Sequence, residues 1–515
     1  MQGAGEQAEV VAFLSDPRSY PGGTDRVDVI GTHISVIFLA GERAYKLKRA
    51  VKFSYLDYST PQLRHAACQA ELDLNRRTAP ALYLEVQSIG RDLHGALQMG
   101  AGPPIVDWLV VMKRFPQEAL FSHLAAQGGL TAALAAETAD RIAAFHAGAE
   151  PTPAFGGSRG IAEVIEINDR NLRQTPPPEV TASMADELLS DSCTALKRLA
   201  ARLDARQSAG KTRRCHGDLH LANICLVDGQ PTLFDCIEFS PAIACIDVLY
   251  DLAFLLMDLD FRGLRHQASV IFNRYIDVAD DDDGLPALPF FMSLRAAVRA
   301  HVTAAAAPTL DAEQQIARQD EAKRYFAFAR SLLQPRAVRL VAVGGLSGTG
   351  KSTVAAGLAG ELGPAPGARV LRSDVIRKQQ FNLPPESRLP PAAYSAAASR
   401  KVYADLAARA RAALAGGFSV IVDAVCAEPE ERAALAEIAR QAGVDFTGIW
   451  LDADPAVLTR RLVARTNDAS DATPDVLHRQ LAYDLGNMTW SRLDSGLPAD
   501  AVIAAARRLL GLASA

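Results

Sequence analysis

The stretch Arg214–Leu226, RCHGDLHLANICL, sets two histidines, an aspartate and an asparagine into a run that otherwise reads as apolar strand and turn. A second stretch, Val341–Thr353, VAVGGLSGTGKST, packs four glycines and a lysine behind a strand-like run. Together they point to two different kinds of phosphate chemistry in one chain.

In HGDLHLAN, Asp218 and Asn223 are five residues apart, and Asp235 in LFDCIEF follows Asn223 by twelve. An aspartate on a loop can accept the proton of an attacking hydroxyl. An asparagine and a second acid, set beyond a strand-turn-strand, can hold the metal ions that bridge ATP phosphates. A competing use of His216 and His220 as an i, i+4 metal pair needs a helix, which Gly217 and the flanking strands disfavour. Upstream, Lys46 and Lys48 lie two apart on one strand and point to the same face, so either can reach the α/β-phosphates. Glu71, on the following helix, is the natural ion-pair partner. GTHISVIFLAG, with only Gly31 and Gly41, occupies the place of a phosphate-covering loop, leaving Thr32, His33 and Ser35 for that task.

In the second stretch, Gly345, Gly350, Lys351 and Ser352 fit G-x-x-x-x-G-K-[ST], behind an apolar strand and ahead of a helix. Glycines let the backbone N–H groups of Gly345, Leu346, Ser347, Gly348, Thr349 and Gly350 turn toward phosphates. Lys351 neutralises β/γ charge, Ser352 can ligate Mg²⁺, and Thr353 completes the cofactor-binding run. SVIVDA ends in Asp423, at the C-terminal edge of a buried strand, where a carboxylate can hold a Mg²⁺-bound water. LRSDVIRK puts Asp374 at the end of the second strand, a place for an acceptor hydroxyl. Arg460, Arg461 and Arg465 either close over the transferring phosphate as a lid or form a solvated basic helix face.

Around these motifs the character of the chain changes twice. Asp28–Gly41 and Arg43–Lys52 read as two strands joined at Gly41-Glu42, Leu63–Arg77 as a helix, and Asp107–Phe115 as a further strand. Ala- and Leu-rich helical segments follow, which predicts a small sheet lobe and then a helical lobe. The run DVADDDDGLPALP, Asp277–Pro289, reads as a solvated loop or turn rather than a metal site, because it lacks the alternating ligands and closing Glu of a calcium loop. A helix from about Asp311 to Leu333 ends before Pro335, where the domain boundary is expected. Beyond it strands and helices alternate, from VRLVAVGG through RVLRSD, SVIVDA and DFTGIWLDAD to a last short AVIAAA, the pattern of a parallel sheet wrapped by helices. Asp247 and Asp251 read as helix-capping or loop-anchoring. Arg295 and Arg299 share a helix face, for an anionic acceptor or for internal pairing with those acids.

At 515 residues the chain has length for two or three cores. Lys plus Arg number 54 and Asp plus Glu 59, a formal charge of −5, so nothing pulls the whole chain toward nucleic acid or an anionic membrane. Without a signal-like start or an apolar run of about 18 residues, a cytoplasmic protein is expected. The seven cysteines form no C-x-x-C pair and read as reduced thiols.

HGDLHLAN resembles the aminoglycoside and choline kinase branch of the protein-kinase-like fold. That resemblance implies Asp218 as catalytic base, Asn223 and Asp235 as Mg²⁺ ligands and His216 as a support of the loop. From Arg336 to about Ala506 the chain resembles the small P-loop kinases that include gluconate kinase, polynucleotide kinase and the zeta toxins, implying Asp374 as the acceptor-side base, Asp423 as the Walker B carboxylate and the arginines as lid. Through THIS, AYKLKRAVKFSYLDYST and LNRRTAPALYL, the whole chain resembles bacterial fusions of an aminoglycoside phosphotransferase-like domain with an ATP-binding domain. The expectation is a multidomain protein. An α+β bilobal kinase-like domain spans residues 1–334 (sheet-rich lobe 1–115, helical lobe 116–334), and an α/β P-loop kinase domain with a parallel sheet spans 335–515. Its partners would be ATP, Mg²⁺ and a small-molecule hydroxyl acceptor. The alternatives are one active kinase beside a nucleotide-gated regulator, or a toxin-like, macromolecule-modifying kinase.

Overall fold

In the computed structural model, residues 2–53, 56–309, 311–464 and 469–512 are described. The chain forms two compact units. One comprises Met1–Leu130, Ala144–Gly160 and Arg206–Asp251, and the other Thr131–Ala143, Ile161–Ala205 and Leu252–Ala515.

The first unit is built on an antiparallel sheet of β1 (Val27–Gly31), β2 (Ser35–Ala40), β3 (Arg43–Lys48), β4 (Tyr83–Arg91), β5 (Leu97–Met99) and β6 (Ile105–Lys113), in the order β1-β2-β3-β6-β4-β5. The single strand expected over Asp28–Gly41 is a hairpin. Thr32 N–H donates to Ser35 C=O at 2.8 Å, and Ser35 N–H donates to Thr32 Oγ1 at 2.9 Å, so a side-chain-closed turn interrupts the apolar run. The alternation of RAYKLK splits β3 between two cores. Tyr45 and Leu47 pack with Phe38, Leu109 and the helix Gln2–Ser15 through Val10 and Leu14. Ala44 faces the helix Pro61–Asn75 through Cys68 and Leu72. That helix starts as its residues dictate, with Pro61 in the first turn and Thr60 Oγ1 accepting from Leu63 N–H at 3.3 Å. It carries Glu71 to the face of β3 where Lys46 and Lys48 emerge. The opening motif lies between β7 (Thr212–Arg214) and the hairpin of β8 (Ile224–Val227) and β9 (Gln230–Leu233), and β10 (Cys245–Asp247) pairs with β7.

The second unit holds the long helices Leu288–Ala306 and Ala312–Leu332, the latter N-capped by Asp311, whose carboxylate accepts from Gln314 N–H. It also holds a five-stranded parallel sheet of β11 (Arg339–Gly345), β12 (Arg369–Arg372), β13 (Val420–Asp423), β14 (Asp445–Asp452) and β15 (Ser491–Asp494), in the order β12-β13-β11-β14-β15. β11 is buried over six of its seven residues, as a strand covered on both faces must be. Two expectations are corrected here. AVIAAA belongs to the helix Ala499–Leu509, because Val502, Ala506 and Leu510 recur at four-residue spacing onto the core, and the last strand is β15. The acidic run at Asp277, expected as a solvated loop or turn, is solvated only in part: it closes the helix Arg265–Ala279 and continues into a short 3₁₀-helix, Asp280 and Asp283 are exposed, Asp281 is buried, and Asp282 pairs with Arg369 and Arg409.

Candidate active sites

The first site grows from the loop after β7. Gly217 takes φ +86°, and a Cβ there would stand 3.3 Å from Ile237. Its N–H and that of His216 donate to the carboxylate of Asp251 at 2.8 and 3.0 Å. Asp251, in the first turn of the helix Val248–Phe261, is fully buried and also meets His146 Nε2 at 3.1 Å. His146, Cys215 and Asp251 lie close enough to hold a metal. The oxygens of Asp251 are instead spent on the loop backbone, the anchoring use expected for it. Asp247 is likewise held by Arg206 at 2.7 and 2.9 Å. Within the second unit, Arg295 and Arg299 lie over the rings of Phe254 and Tyr325.

With the loop pinned, His216 Nε2 lies 2.8 Å from Phe234 C=O, and His220 Nδ1 accepts from Ala222 N–H at 3.2 Å. Neither histidine sits on a helix that would make them a metal pair. Asn223 Nδ2 donates to Asp218 Oδ2 at 2.9 Å and to Asp218 C=O at 2.9 Å, while His220 Nε2 stands 3.3 Å from the same carboxylate. Asp235 has φ +64°, a left-handed conformation that an aspartate tolerates better than most residues and that is frequent at functional sites. Its N–H donates to Tyr83 Oη at 3.1 Å, which turns the carboxylate onto Lys46 Nζ at 2.5 Å.

Lys46 and Lys48 share one acid, with Nζ to Glu71 distances of 2.8 and 2.6 Å. Their surroundings separate them. Lys46 has 12% of its side chain exposed, beside an Asp235 that is 41% exposed. Lys48 is 1% exposed and is locked onto Glu238, which also accepts from Tyr58 Oη at 2.5 Å. Burial works to raise the Glu71 carboxyl, but the two ammonium groups more than offset it and hold it at about 2. Glu238 and Tyr58 were not visible as site residues in the sequence, because their meaning arises only when β3 and the segment after Asp235 meet. His33 lies in the β1–β2 turn; burial pushes its imidazole down, and the nearby Asp218 carboxylate opposes that. Ser35 is buried, and Thr32 is tied into the same turn.

In the second site, Gly345 has φ +138°, and a Cβ there would strike Leu451 C=O at 2.6 Å, so the loop accepts only glycine at this point. Gly345 N–H donates to Val425 C=O, Ser347 N–H to Gln480 Oε1 at 2.8 Å, and Thr349 Oγ1 to Leu346 C=O at 2.8 Å. Gly348 and Gly350 are left-handed, and Gly350 caps the helix Lys351–Ala359. Lys351 Nζ donates to the carbonyls of Gly345 and Leu346 at 2.9 and 3.0 Å. Ser352 Oγ donates to Asp423 Oδ2 at 2.6 Å, bringing the hydroxyl and carboxylate together across the sheet; Thr353 is exposed. Asp374, in the first turn of the helix Ser373–Gln379, has its carboxyl pushed up, chiefly by burial, against the pull of Arg372. On the helix Pro455–Ala464, Arg460 is exposed and Arg461 half-buried; Arg465 lies outside the described residues. Arg372 and Gln480 are residues of this site that no motif marked.

The oxygen donors at both places suit a hard cation. Asn223 and Asp235 offer an amide and a carboxylate, and Ser352 and Asp423 a hydroxyl and a carboxylate, the donor types Mg²⁺ takes beside phosphates and water. Among the described residues, no helix is long and apolar enough to cross a membrane.

Comparison with known proteins agrees with the order of the two sites. Residues 43–291 match the model of the phosphotransferase enzyme family, and residues 340–484 match that of an AAA domain. Uncharacterized proteins of Mycobacterium tuberculosis and Mycobacterium bovis are 30% identical over 491 residues, covering 92% of this chain and 93% of each relative. Among solved structures, a choline/ethanolamine kinase family protein from Mesorhizobium loti is similar, with 15% identity, TM-score 0.39, and 63% of this chain and 99% of that one covered. So is an APS kinase of Mycobacterium tuberculosis, with 25% identity, TM-score 0.27, and 35% and 99% covered. With kinase-type domains matched in the same order as the two sites, and relatives aligned along nearly their whole length, the chain belongs to the family of fused proteins in which an aminoglycoside phosphotransferase-like domain precedes a P-loop kinase-like domain.

Proposed function

We propose that the chain is an ATP- and Mg²⁺-dependent phosphotransferase with two separate kinase sites, in residues 1–334 and 335–515, each passing the γ-phosphoryl group of ATP to a hydroxyl of a small molecule. The observation that carries the reading is that Lys46 holds both Glu71 and Asp235, while Asn223 holds Asp218 and accepts at its C=O from the N–H of Phe234, the neighbour of Asp235.

In the first site Asp218 takes the proton of the acceptor hydroxyl as it attacks. Asn223 holds that carboxylate in place through Nδ2 and keeps Oδ1 for a cation. Lys46 orients the α/β-phosphates while Glu71 keeps its ammonium in position, and Lys48 serves as a buried counter-charge. In the second site the N–H groups of Gly345 and Ser347 are given to Val425 and Gln480 and shape the loop; those of Gly348 and Gly350, with the N-terminus of the helix Lys351–Ala359, cradle the phosphates, Lys351 neutralises β/γ charge, and Asp374 receives the acceptor proton. Asn223 with Asp235, and Ser352 with Asp423, would hold Mg²⁺, which when bound would neutralise charge on the nucleotide phosphates. Arg460 and Arg461 lie on the helix next to the loop, where arginines can meet phosphate.

Calorimetric titration with a non-hydrolysable ATP analogue and Mg²⁺ tests this. Two sites are expected in the wild type, with Lys351→Ala removing one and Asp235→Ala the other. A single site in the wild type overturns the two-kinase reading.

A further inference from the structure

β12 is only four residues long, and its two ends are engaged by different things. Its first residue, Arg369, is 1% exposed and is gripped by Asp277 Oδ1 at 2.7 Å and Asp282 Oδ1 at 2.6 Å. Asn273 brackets the same edge strand as a strand partner would. Its Oδ1 accepts from Val370 N–H at 2.8 Å, and its Nδ2 donates to Ala368 C=O at 3.1 Å. Asp282 and Asp280 are in turn held by Arg409 at 2.9 and 2.8 Å. Asn273 and these acids lie in the helix Arg265–Ala279 and the turn after it, outside the segment matched as a P-loop domain.

The last residue of β12, Arg372, pairs in register with Asp423 of β13. Its guanidinium donates to Ser352 Oγ at 3.1 Å and stands 3.3 Å from Asp423 Oδ2, so it touches both side chains read as metal ligands. A short strand paired along its whole length is stiff, and a charge-assisted hydrogen bond loses most of its strength when displaced by about 1 Å from the 2.7–3.2 Å range. Clamping one end of β12 therefore sets where the guanidinium at the other end falls.

We infer that Arg372 is a further residue of the second nucleotide site, and that the acidic run Asp277–Asp282, acting through Arg369 and β12, is its positioning element. The inference rests on the reading of Ser352 and Asp423 as the metal and nucleotide ligands. It makes the P-loop site dependent on side chains supplied from the helical part of the chain, and it gives the acids around the buried Arg369 a use beyond stability. Buried ion pairs are weak evidence of stability in themselves, because desolvation offsets much of their attraction.

The test is the same titration of the full chain, with the first site as internal reference. Arg372→Gln and Asp282→Asn are each expected to weaken the second site roughly three- to thirtyfold and leave the first unchanged. Asp282→Glu is expected to restore binding. Asp282→Asn added to Arg372→Gln is expected to cost less than about a further twofold, since the acid acts only by placing that arginine. An undiminished effect of Asp282→Asn in the Arg372→Gln background means that the run merely supports the fold, and overturns the inference; so does an unchanged second site in either single variant. Should Asp282→Asn fail to fold, Arg409→Gln, which releases the same carboxylate, takes its place under the same criteria. Absence of any second site in the wild type is a different result, striking at the two-site reading itself.

Discussion

Asp218 Oδ2 accepts a hydrogen bond from Asn223 Nδ2 and has His220 Nε2 at 3.3 Å, yet the side chain keeps 37% of its surface exposed. A held but reachable carboxylate is what a general base requires. Asp218→Asn is expected to lower first-site turnover roughly 10²–10⁴-fold with nucleotide affinity nearly intact, checked by steady-state kinetics beside calorimetry. The two lysines of β3 should part company. Removing Lys48 takes away one of the two ammonium groups that hold Glu71 and the one that holds the buried side chain of Glu238 beside Tyr58, and Lys48→Met is expected to lower stability by about 3–5 kcal/mol in denaturant titrations. Lys46→Met, at the partly open position next to Asp235, is expected to weaken the ATP analogue more than it weakens the fold. At Asp374, burial raises the carboxyl, and a base works only when ionised. Second-site activity should thus be full above that raised pKa and fall as pH drops through it, at higher pH than an ordinary aspartate would dictate. A pH–rate profile whose acid limb sits in the ordinary aspartate range would remove Asp374 from that role.

Among the elements, the loop His216–His220 depends on one side chain from a helix far along the chain. Asp251→Ala would leave the N–H groups of His216 and Gly217 buried without their acceptor, each costing about 1–3 kcal/mol. Stability should fall by about 2–6 kcal/mol, and first-site turnover should fall with it at temperatures where the protein remains folded; unfolding curves and kinetics on the same samples check both. Elements were legible wherever one strong period ran unbroken. Leu63–Arg77 reads as a helix because its apolar residues recur three and four apart, and the helix Pro61–Asn75 forms there. The β1–β2 hairpin was hidden because its turn is closed by Thr32 rather than by Gly or Pro, so apolar residues on both sides read as one strand. AVIAAA was misread because six residues cannot distinguish a strand from the middle of a helix, whereas the four-residue recurrence reaching Leu510 can.

On the scale of the molecule, the two sets of residues proposed to bind phosphate share no member, so ligand protection should be divisible. Anything that binds only the folded state stabilises it by RT ln(1 + [L]/Kd), about 2.7 kcal/mol at a hundredfold excess over Kd. Thermal scans with Mg²⁺ and the ATP analogue are expected to show protection that Lys351→Ala and Asp235→Ala each remove in part and a chelator removes in full. Protection untouched by the chelator would argue against metal at either site.

What the sequence determined by itself was the chemistry written locally: the glycine loop with Lys351 and Ser352, the spacing from Asp218 through Asn223 to Asp235, and the change from strands to helices to an alternating α/β pattern. These follow from backbone conformation and periodicity, which neighbouring residues set. Tertiary structure alone decided which lysine of β3 faces the open side of the site, that Asp251 pins the loop, and that Asp277 and Asp282 are the partners of the buried Arg369. A charge has the same local pattern whether it meets water or a counter-charge distant in the chain. Its surroundings, and with them its burial and pKa, exist only after the chain has folded.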